Sequence, residues 1–210
     1  MGKTMADQAK EGRALPADVN RETLSRLSPL SRDALSDEAR PAFDALSRPR
    51  AGGKGLAGLQ GPGGIWVRMP KFGKLMGEAN RYLRGDTGLS PALIEVAILA
   101  TAREMNSQFE WTMHEPVARN EGVPAAVIDA IKHRTPVAGL PQTEASVIEL
   151  AREAIGRRKV TSETYAGALA LFGEAELLNL VALMASYAMT AMVLTVFDQQ
   201  LHDGQTPLLP

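Results

Sequence analysis

Three side chains that can transfer protons lie close together in the middle of the chain: Glu95, Glu110 and His114. Ser107, Glu110 and His114 are separated by three and four residues, so a helix would place all three on one face. A histidine exchanges its proton near neutral pH, and a carboxylate one helical turn away can orient the ring or share that proton. This spacing predicts a general acid–base site.

Glu95 lies in the most apolar helix that the sequence predicts. Ser90 is a suitable N-cap and is followed by a proline, which favours the first helical turn. The other residues from 94 to 102 are nearly all apolar or small, so this helix should be buried on most sides. A carboxylate in such a place must be paired, protonated or functional, because an isolated buried charge is costly. A structural ion pair with Arg103 or Arg119 is the alternative to a role in catalysis.

A second helix should follow across a break at Asn106, which we expect to be its cap. Gly122 is suited to its C-terminal end. If the two helices pack across the break, Glu95 meets the other three side chains. Ser107 could then donate a hydrogen bond to a substrate oxygen, or it could simply belong to the first helical turn. Three aromatic residues are candidates for substrate contact, with a place in the core as the alternative: Trp66, Phe109 and Trp111.

These positions resemble the signature of the carboxymuconolactone decarboxylase and alkylhydroperoxidase D-like superfamily. That signature is a glutamate followed at fixed distance by C-x-x-C-x-x-x-H, and Glu95, Ser107, Glu110 and His114 fit its spacing, with both cysteines replaced. The surrounding E-W-x-x-H-E-P-x-A-R-x-x-G-V and the last apolar helix are similar to the cysteine-free, decarboxylase-like branch. The resemblance covers roughly residues 35–201.

The resemblance implies an all-α, alkylhydroperoxidase D-like bundle of about seven or eight helices that forms trimers or hexamers. It also implies a cofactor-independent decarboxylase, or a related lyase or hydrolase, acting on a small lactone or carboxylic acid. His114 would be the general acid, assisted by Glu95 and Glu110, with Ser107 as a donor. The thiol peroxidase reaction of the other branch needs a thiolate, and the chain contains no cysteine. A non-catalytic binding or assembly protein on the same scaffold is the alternative.

The composition excludes several other classes of protein. With 23 basic and 24 acidic residues the net charge is −1, which argues against electrostatic binding to nucleic acid or a membrane surface. The three histidines are widely spaced, so a structural zinc site is not predicted. The resemblance to the decarboxylase branch implies that no metal or organic cofactor is required. No segment alternates apolar and polar residues over a sustained stretch, and this favours an all-α fold.

The sequence predicts one helical domain over residues 31–205, with a flexible arm at 1–30 and a tail at 206–210. Residues 48–64 are rich in glycine and should form a mobile connection or an active-site lid. A phosphate cradle is the alternative interpretation, but the segment lacks the pattern G-x-x-x-x-G-K-[ST].

The uncharged stretch 177–197 is long enough to cross a bilayer. It contains polar residues, however, and lacks flanking Lys or Arg anchors. We therefore expect a buried core helix or a subunit-interface helix. Since the first residues contain no apolar run typical of a secretory signal, we expect a cytoplasmic protein.

Overall fold

The computed structural model describes residues 14–48 and 58–210, and these form eight α-helices. A 3-10 turn at Arg32–Ala34 precedes them, and a π-helical turn at Arg152–Arg157 continues the seventh. Within the described ranges the only β-type pairing is an isolated bridge between Asn20 and Ser25, so the predicted all-α class and helix number are confirmed. The helices are α1 Arg40–Ser47, α2 Pro62–Trp66, α3 Pro70–Gly85, α4 Pro91–Glu104, α5 Gln108–Asn120, α6 Ala125–His133, α7 Gln142–Ala151 and α8 Ser162–Val196.

The apolar helix α4 is the centre of the bundle. It packs against α5, α6, α7 and α8, and every residue from 94 to 102 is buried. A helix that is apolar on all sides must be enclosed in this way. Its N-terminus is as predicted, because the Ser90 hydroxyl accepts a hydrogen bond from the Leu93 backbone N–H.

The break between α4 and α5 turns the chain back on itself. Asn106 has a positive φ of 49°, a conformation that asparagine tolerates better than most residues. The N-cap of α5 is Ser107, so the prediction that Asn106 caps this helix was wrong by one residue. The predicted end is confirmed: Gly122 has φ 82°, and the Val123 N–H reaches back to the Ala118 carbonyl. The reversal allows α5 to pack along α4.

Helix α8 consists of two arms that meet at Gly173, whose φ of 69° and ψ of 171° are not helical. The second arm ends at Val196. By length and composition alone, α8 could cross a membrane. In this structure it packs against α3, α4, α5 and α7, and one side of it belongs to the core.

The segments on either side of the bundle are anchored to it where they are described. In the predicted arm, residues 1–13 lie outside the described ranges, but Leu24 is buried and the Arg26 N–H donates to the Phe197 carbonyl. In the predicted tail, Leu209 donates its N–H to the Gln108 side chain. Most of the glycine-rich segment, residues 49–57, also lies outside the described ranges.

Candidate active site

Glu95, Glu110 and His114 meet between α4 and α5. His114 Nδ1 lies 2.7 Å from Glu95 Oε2, and His114 Nε2 lies 3.6 Å from Glu110 Oε2. All three residues are almost fully buried, with exposed fractions between 1% and 3%. The imidazole therefore lies between two carboxyl groups in a place with little access to water.

Arg84, in the last turn of α3, completes this cluster and was missed in the sequence. Its Nη2 donates to Glu95 Oε1 at 2.9 Å. The predicted partners of Glu95 were wrong, because Arg103 bonds the Lys132 carbonyl and Arg119 bonds Glu115. Neither helical spacing nor charge pattern reports that the last turn of α3 brings Arg84 to Glu95 on α4. The one signal in the sequence was that Arg84 directly follows Leu83, an apolar residue that the helix buries. A charged residue next to a buried position can reach the interior.

The hydrogen bonds define where protons can lie. Glu95 lies within hydrogen-bond distance of a guanidinium and an imidazole, and a carboxylate can only accept hydrogen bonds. His114 Nδ1 therefore donates to Glu95, which leaves Nε2 facing Glu110. That second contact, at 3.6 Å, places Glu110 Oε2 next to the remaining ring nitrogen.

Glu110 is the member of the cluster that lacks a full set of partners. Burial raises its pKa to about 7, against the opposing effect of His114 and Arg84, and the charge of Glu95 raises it further. Its Oε1 atom is buried and has no hydrogen-bond partner among the described residues. Glu110 can therefore gain or lose a proton near neutral pH, and one of its oxygens is available to a ligand.

A cavity of about 200 Å³ opens beside Glu110. Its walls come from α2, α3, α5 and α8, and they include Trp66, Arg84, Glu110, His114 and Tyr187. Tyr187 packs edge-on against the His114 ring, with 5.2 Å between ring centroids. Burial raises the pKa of Tyr187 well above its ordinary value, so its hydroxyl stays protonated and can donate. The sequence analysis missed Tyr187 because it lies within a long apolar stretch.

The remaining predicted site residues lie in other places. Ser107 acts as the N-cap of α5 and accepts from the Glu110 backbone N–H at 3.5 Å. Phe109 packs with Ile65, Met113 and Leu194 in a small second core. These side chains are not among those that line the cavity.

Trp111 is fully buried, and its Nε1 donates to Glu115 Oε2 at 2.6 Å. Phe109 and Trp111 flank Glu110 in sequence, so each points about 100° away from it around the helix. Of the three aromatic candidates, Trp66 alone is in the cavity wall. Among the residues that the structure describes, no group of three or more His, Asp or Glu side chains could hold a metal ion.

Comparisons with known proteins agree with this architecture. Residues 70–153 match the sequence model of the carboxymuconolactone decarboxylase family. The chain is also similar to the crystal structure of an alkylhydroperoxidase AhpD core, an uncharacterized peroxidase-related protein from Ralstonia eutropha JMP134. The TM-score is 0.66 at 15% sequence identity, over 85% of this chain and 93% of that chain. No curated protein matches the sequence.

The resemblance predicted from Glu95, Ser107, Glu110 and His114 is thereby confirmed. The chain has the alkylhydroperoxidase D-like all-α fold, and its central part carries the pattern of the carboxymuconolactone decarboxylase family, without cysteines.

Proposed function

We propose that this protein is a cofactor-independent lyase, a decarboxylase or a close relative, acting on a small carboxylic acid or lactone. The observation that supports this most directly is Glu110, which lies in the wall of a cavity and whose buried Oε1 has no hydrogen-bond partner among the described residues. An unpaired buried polar atom is costly, and such costs are typical of functional sites. A carboxyl group with a pKa of about 7 is also suited to proton transfer near neutral pH.

In the proposed reaction, the bond between the substrate and its carboxyl carbon breaks, and carbon dioxide leaves. The electron pair remains on the substrate, delocalised towards its carbonyl oxygen. The proton shared by Glu110 and His114 is then transferred to carbon, while the neutral hydroxyl of Tyr187 donates to the developing oxyanion. Ser107, the donor expected from the sequence, serves as a helix cap, so the proposal gives its role to Tyr187.

Reduction of hydroperoxides by thiols is not part of this proposal. That reaction requires a thiolate as nucleophile, and the full sequence contains no cysteine. Glu110 occupies the position of the second signature cysteine, so a proton-transfer group stands where the thiol would be.

We also propose that the protein is a homo-oligomer in the cytoplasm, a trimer or hexamer as the family resemblance implies. Two packed helices, α3 and α8, carry exposed apolar side chains. Leu75 on α3 is 62% exposed and Leu178 on α8 is 63% exposed. A second copy that covered them would remove this apolar area from water. Sedimentation that shows only a monomer at micromolar concentration would contradict this part.

The test of the proposed function is a turnover screen of small lactones and unsaturated carboxylic acids in deuterated water. A decarboxylase of this kind releases carbon dioxide and places solvent deuterium on the carbon that loses it. Glu110→Gln should abolish both signals, whereas Glu115→Gln, which changes a carboxylate on another face of α5, should preserve them. If ligands bind but neither signal appears, the protein is a binding protein on the same scaffold.

A further inference from the structure

Helix α3 lines the cavity with polar side chains at one end and with a glycine at the other. Gly77, Asn80 and Arg84 line the cavity from α3, and their spacing of three and four residues places them along a single face. Asn80 and Arg84 bring side-chain N–H donors to one end of this row. Gly77 brings only backbone to the other end, and a Cβ built there would meet no heavy atom within 4 Å.

Arg84 is suited to bind an anion as well as to neutralise Glu95. Its bond to Glu95 uses Nη2, and a guanidinium carries five N–H donors in a planar fork that matches a carboxylate. About a third of the side chain, 31%, is exposed, so this cation is not closed off by the fold. Glu95, which accepts from Arg84, also receives a hydrogen bond from His114. Because two donors share the single negative charge of Glu95, the charge of Arg84 is only partly neutralised.

The size of the cavity limits the ligand. Cavities that hold drug-sized molecules measure roughly 300–1,000 Å³, so about 200 Å³ admits only a smaller compound. A cavity of about 150 Å³ is large enough for benzene. The volume here therefore suits one ring with a carboxyl group.

We propose that α3 is the recognition helix for a single-ring monocarboxylate, whose carboxylate binds Arg84 and Asn80 while its ring lies in the space over Gly77. This inference rests on the proposed function, because it identifies the ligand class of the same site. It assigns Arg84 a role in specificity in addition to its ion pair with Glu95. It makes Gly77 the position where an added side chain would compete with the ring for space.

Calorimetric titration of the full-length protein with benzoate and its neutral analogue benzamide tests the charge requirement. Benzoate should bind, and benzamide should bind about tenfold to a hundredfold more weakly, the usual value of a charge-assisted hydrogen bond. Equal binding of the two, or no binding of benzoate at millimolar concentration, would overturn the proposal.

Variants then locate the interaction. Removal of Arg84 alone would leave Glu95 buried without its cation, so the informative variant is Arg84→Gln/Glu95→Gln, which removes both charges. The double variant should bind benzoate only as weakly as the parent protein binds benzamide. Arg81→Gln is the matched control, since Arg81 is exposed on α3 and is not in the cavity wall. Benzoate binding that is unchanged in the double variant would overturn the role of Arg84.

Gly77→Leu should abolish benzoate binding because the side chain would occupy the space of the ring. Gly85→Leu, near the end of the same helix and outside the cavity wall, should leave binding unchanged while improving helix propensity in the same way. If Gly77→Leu still binds benzoate as the parent does, the ring does not lie there.

The two proposals fail in different ways. Benzoate binding that depends on Arg84, without any turnover in the screen, would refute the lyase and leave this inference standing. Turnover whose KM is unaffected in the double variant would refute this inference alone.

Discussion

Two buried glutamates on α5 show opposite solutions to the same physical problem. Glu115 is 5% exposed and receives hydrogen bonds from Trp111 Nε1, Arg119 Nη2 and Lys132 Nζ at 2.6, 2.7 and 3.1 Å. Burial raises the pKa of Glu115, but these hydrogen bonds and the Lys132 charge outweigh it and hold the pKa below its ordinary value. Glu110, 3% exposed on the same helix, has one oxygen without a partner, and its pKa is raised to about 7.

The difference separates structure from chemistry. A buried carboxylate that is fully hydrogen-bonded stays ionised and holds its neighbours in place. A buried carboxylate with an incomplete set of partners is costly to keep, and it is poised to exchange a proton with whatever enters the adjoining space. The comparison therefore predicts that substitutions at Glu110 change activity, while substitutions at Glu115 change stability.

The largest expected effect is on turnover. Glu110→Gln and His114→Ala should each lower the rate by roughly two to four orders of magnitude, the usual contribution of general acid–base catalysis. The measurement is initial rate on a substrate found in the screen, with thermal unfolding to show that each variant is folded. A folded His114→Ala protein that works at the parent rate would end the catalytic interpretation of this cluster.

The next effect is the dependence of stability on pH. The folded-state pKa of Glu110, about 7, lies above its ordinary value of 4.5, so the folded protein binds the extra proton between these values. The stabilisation of the folded state by protonated Glu110 is therefore full below about pH 4.5 and is lost as the pH rises through about 7. The loss is on the order of 3 kcal/mol in the free energy of unfolding.

Urea unfolding at about pH 5 and about pH 8 measures this loss. Glu110→Gln cannot ionise, so its stability relative to the parent should increase between the two conditions. Glu115→Gln should show no such increase, because the pKa of Glu115 is lowered and its carboxylate is ionised at both. Parallel pH profiles for the parent and Glu110→Gln would show that Glu110 does not titrate in this range.

Much of this arrangement could be read from spacing within one helix or across one turn. The three-and-four spacing of Ser107, Glu110 and His114 placed them on α5, and the apolar pattern placed Glu95 in the central helix. The ends at Ser90 and Gly122 also followed from local chemistry, because caps and glycine conformations depend on near neighbours.

Contacts between distant segments could not be read in this way. Tyr187 joins the site because α8 packs against α4 and α5, and Arg84 joins it because α3 packs against α8. A hydrophobic pattern fixes which side of a helix is buried but not which helix it faces. Trp111 shows the converse limit. Its type suggested a substrate contact, but its hydrogen bond to Glu115 places it in the core.

A smaller effect, on stability, is expected for Glu115→Ala. This variant tests the structural role of Glu115 in the comparison with Glu110. It leaves the buried Trp111 N–H without a partner and removes the anion between Arg119 and Lys132. Because both cations are partly exposed, the loss should be about 2 kcal/mol, less than for a fully buried pair. Glu121→Ala, an exposed change just after α5, is the control for urea unfolding. Equal stability of the two variants would show that the Glu115 cluster is not structural.

The smallest effect concerns Ser107, whose position in the signature suggested a role in chemistry. Its hydroxyl accepts from the Glu110 backbone N–H, as an N-cap does, and it is not in the cavity wall. Ser107→Ala should therefore cost about 1 kcal/mol of stability, the usual value of a cap, with turnover close to that of the parent. Ser90→Ala, which removes the equivalent cap of α4, is the matched control, and the two variants should lose similar stability in urea unfolding. A loss of tenfold or more in turnover by Ser107→Ala, with the same stability as Ser90→Ala, would contradict this prediction. Ser107 would then act on the substrate or on the placement of Glu110, and it would belong with the chemical residues of α5 and not with the structural ones.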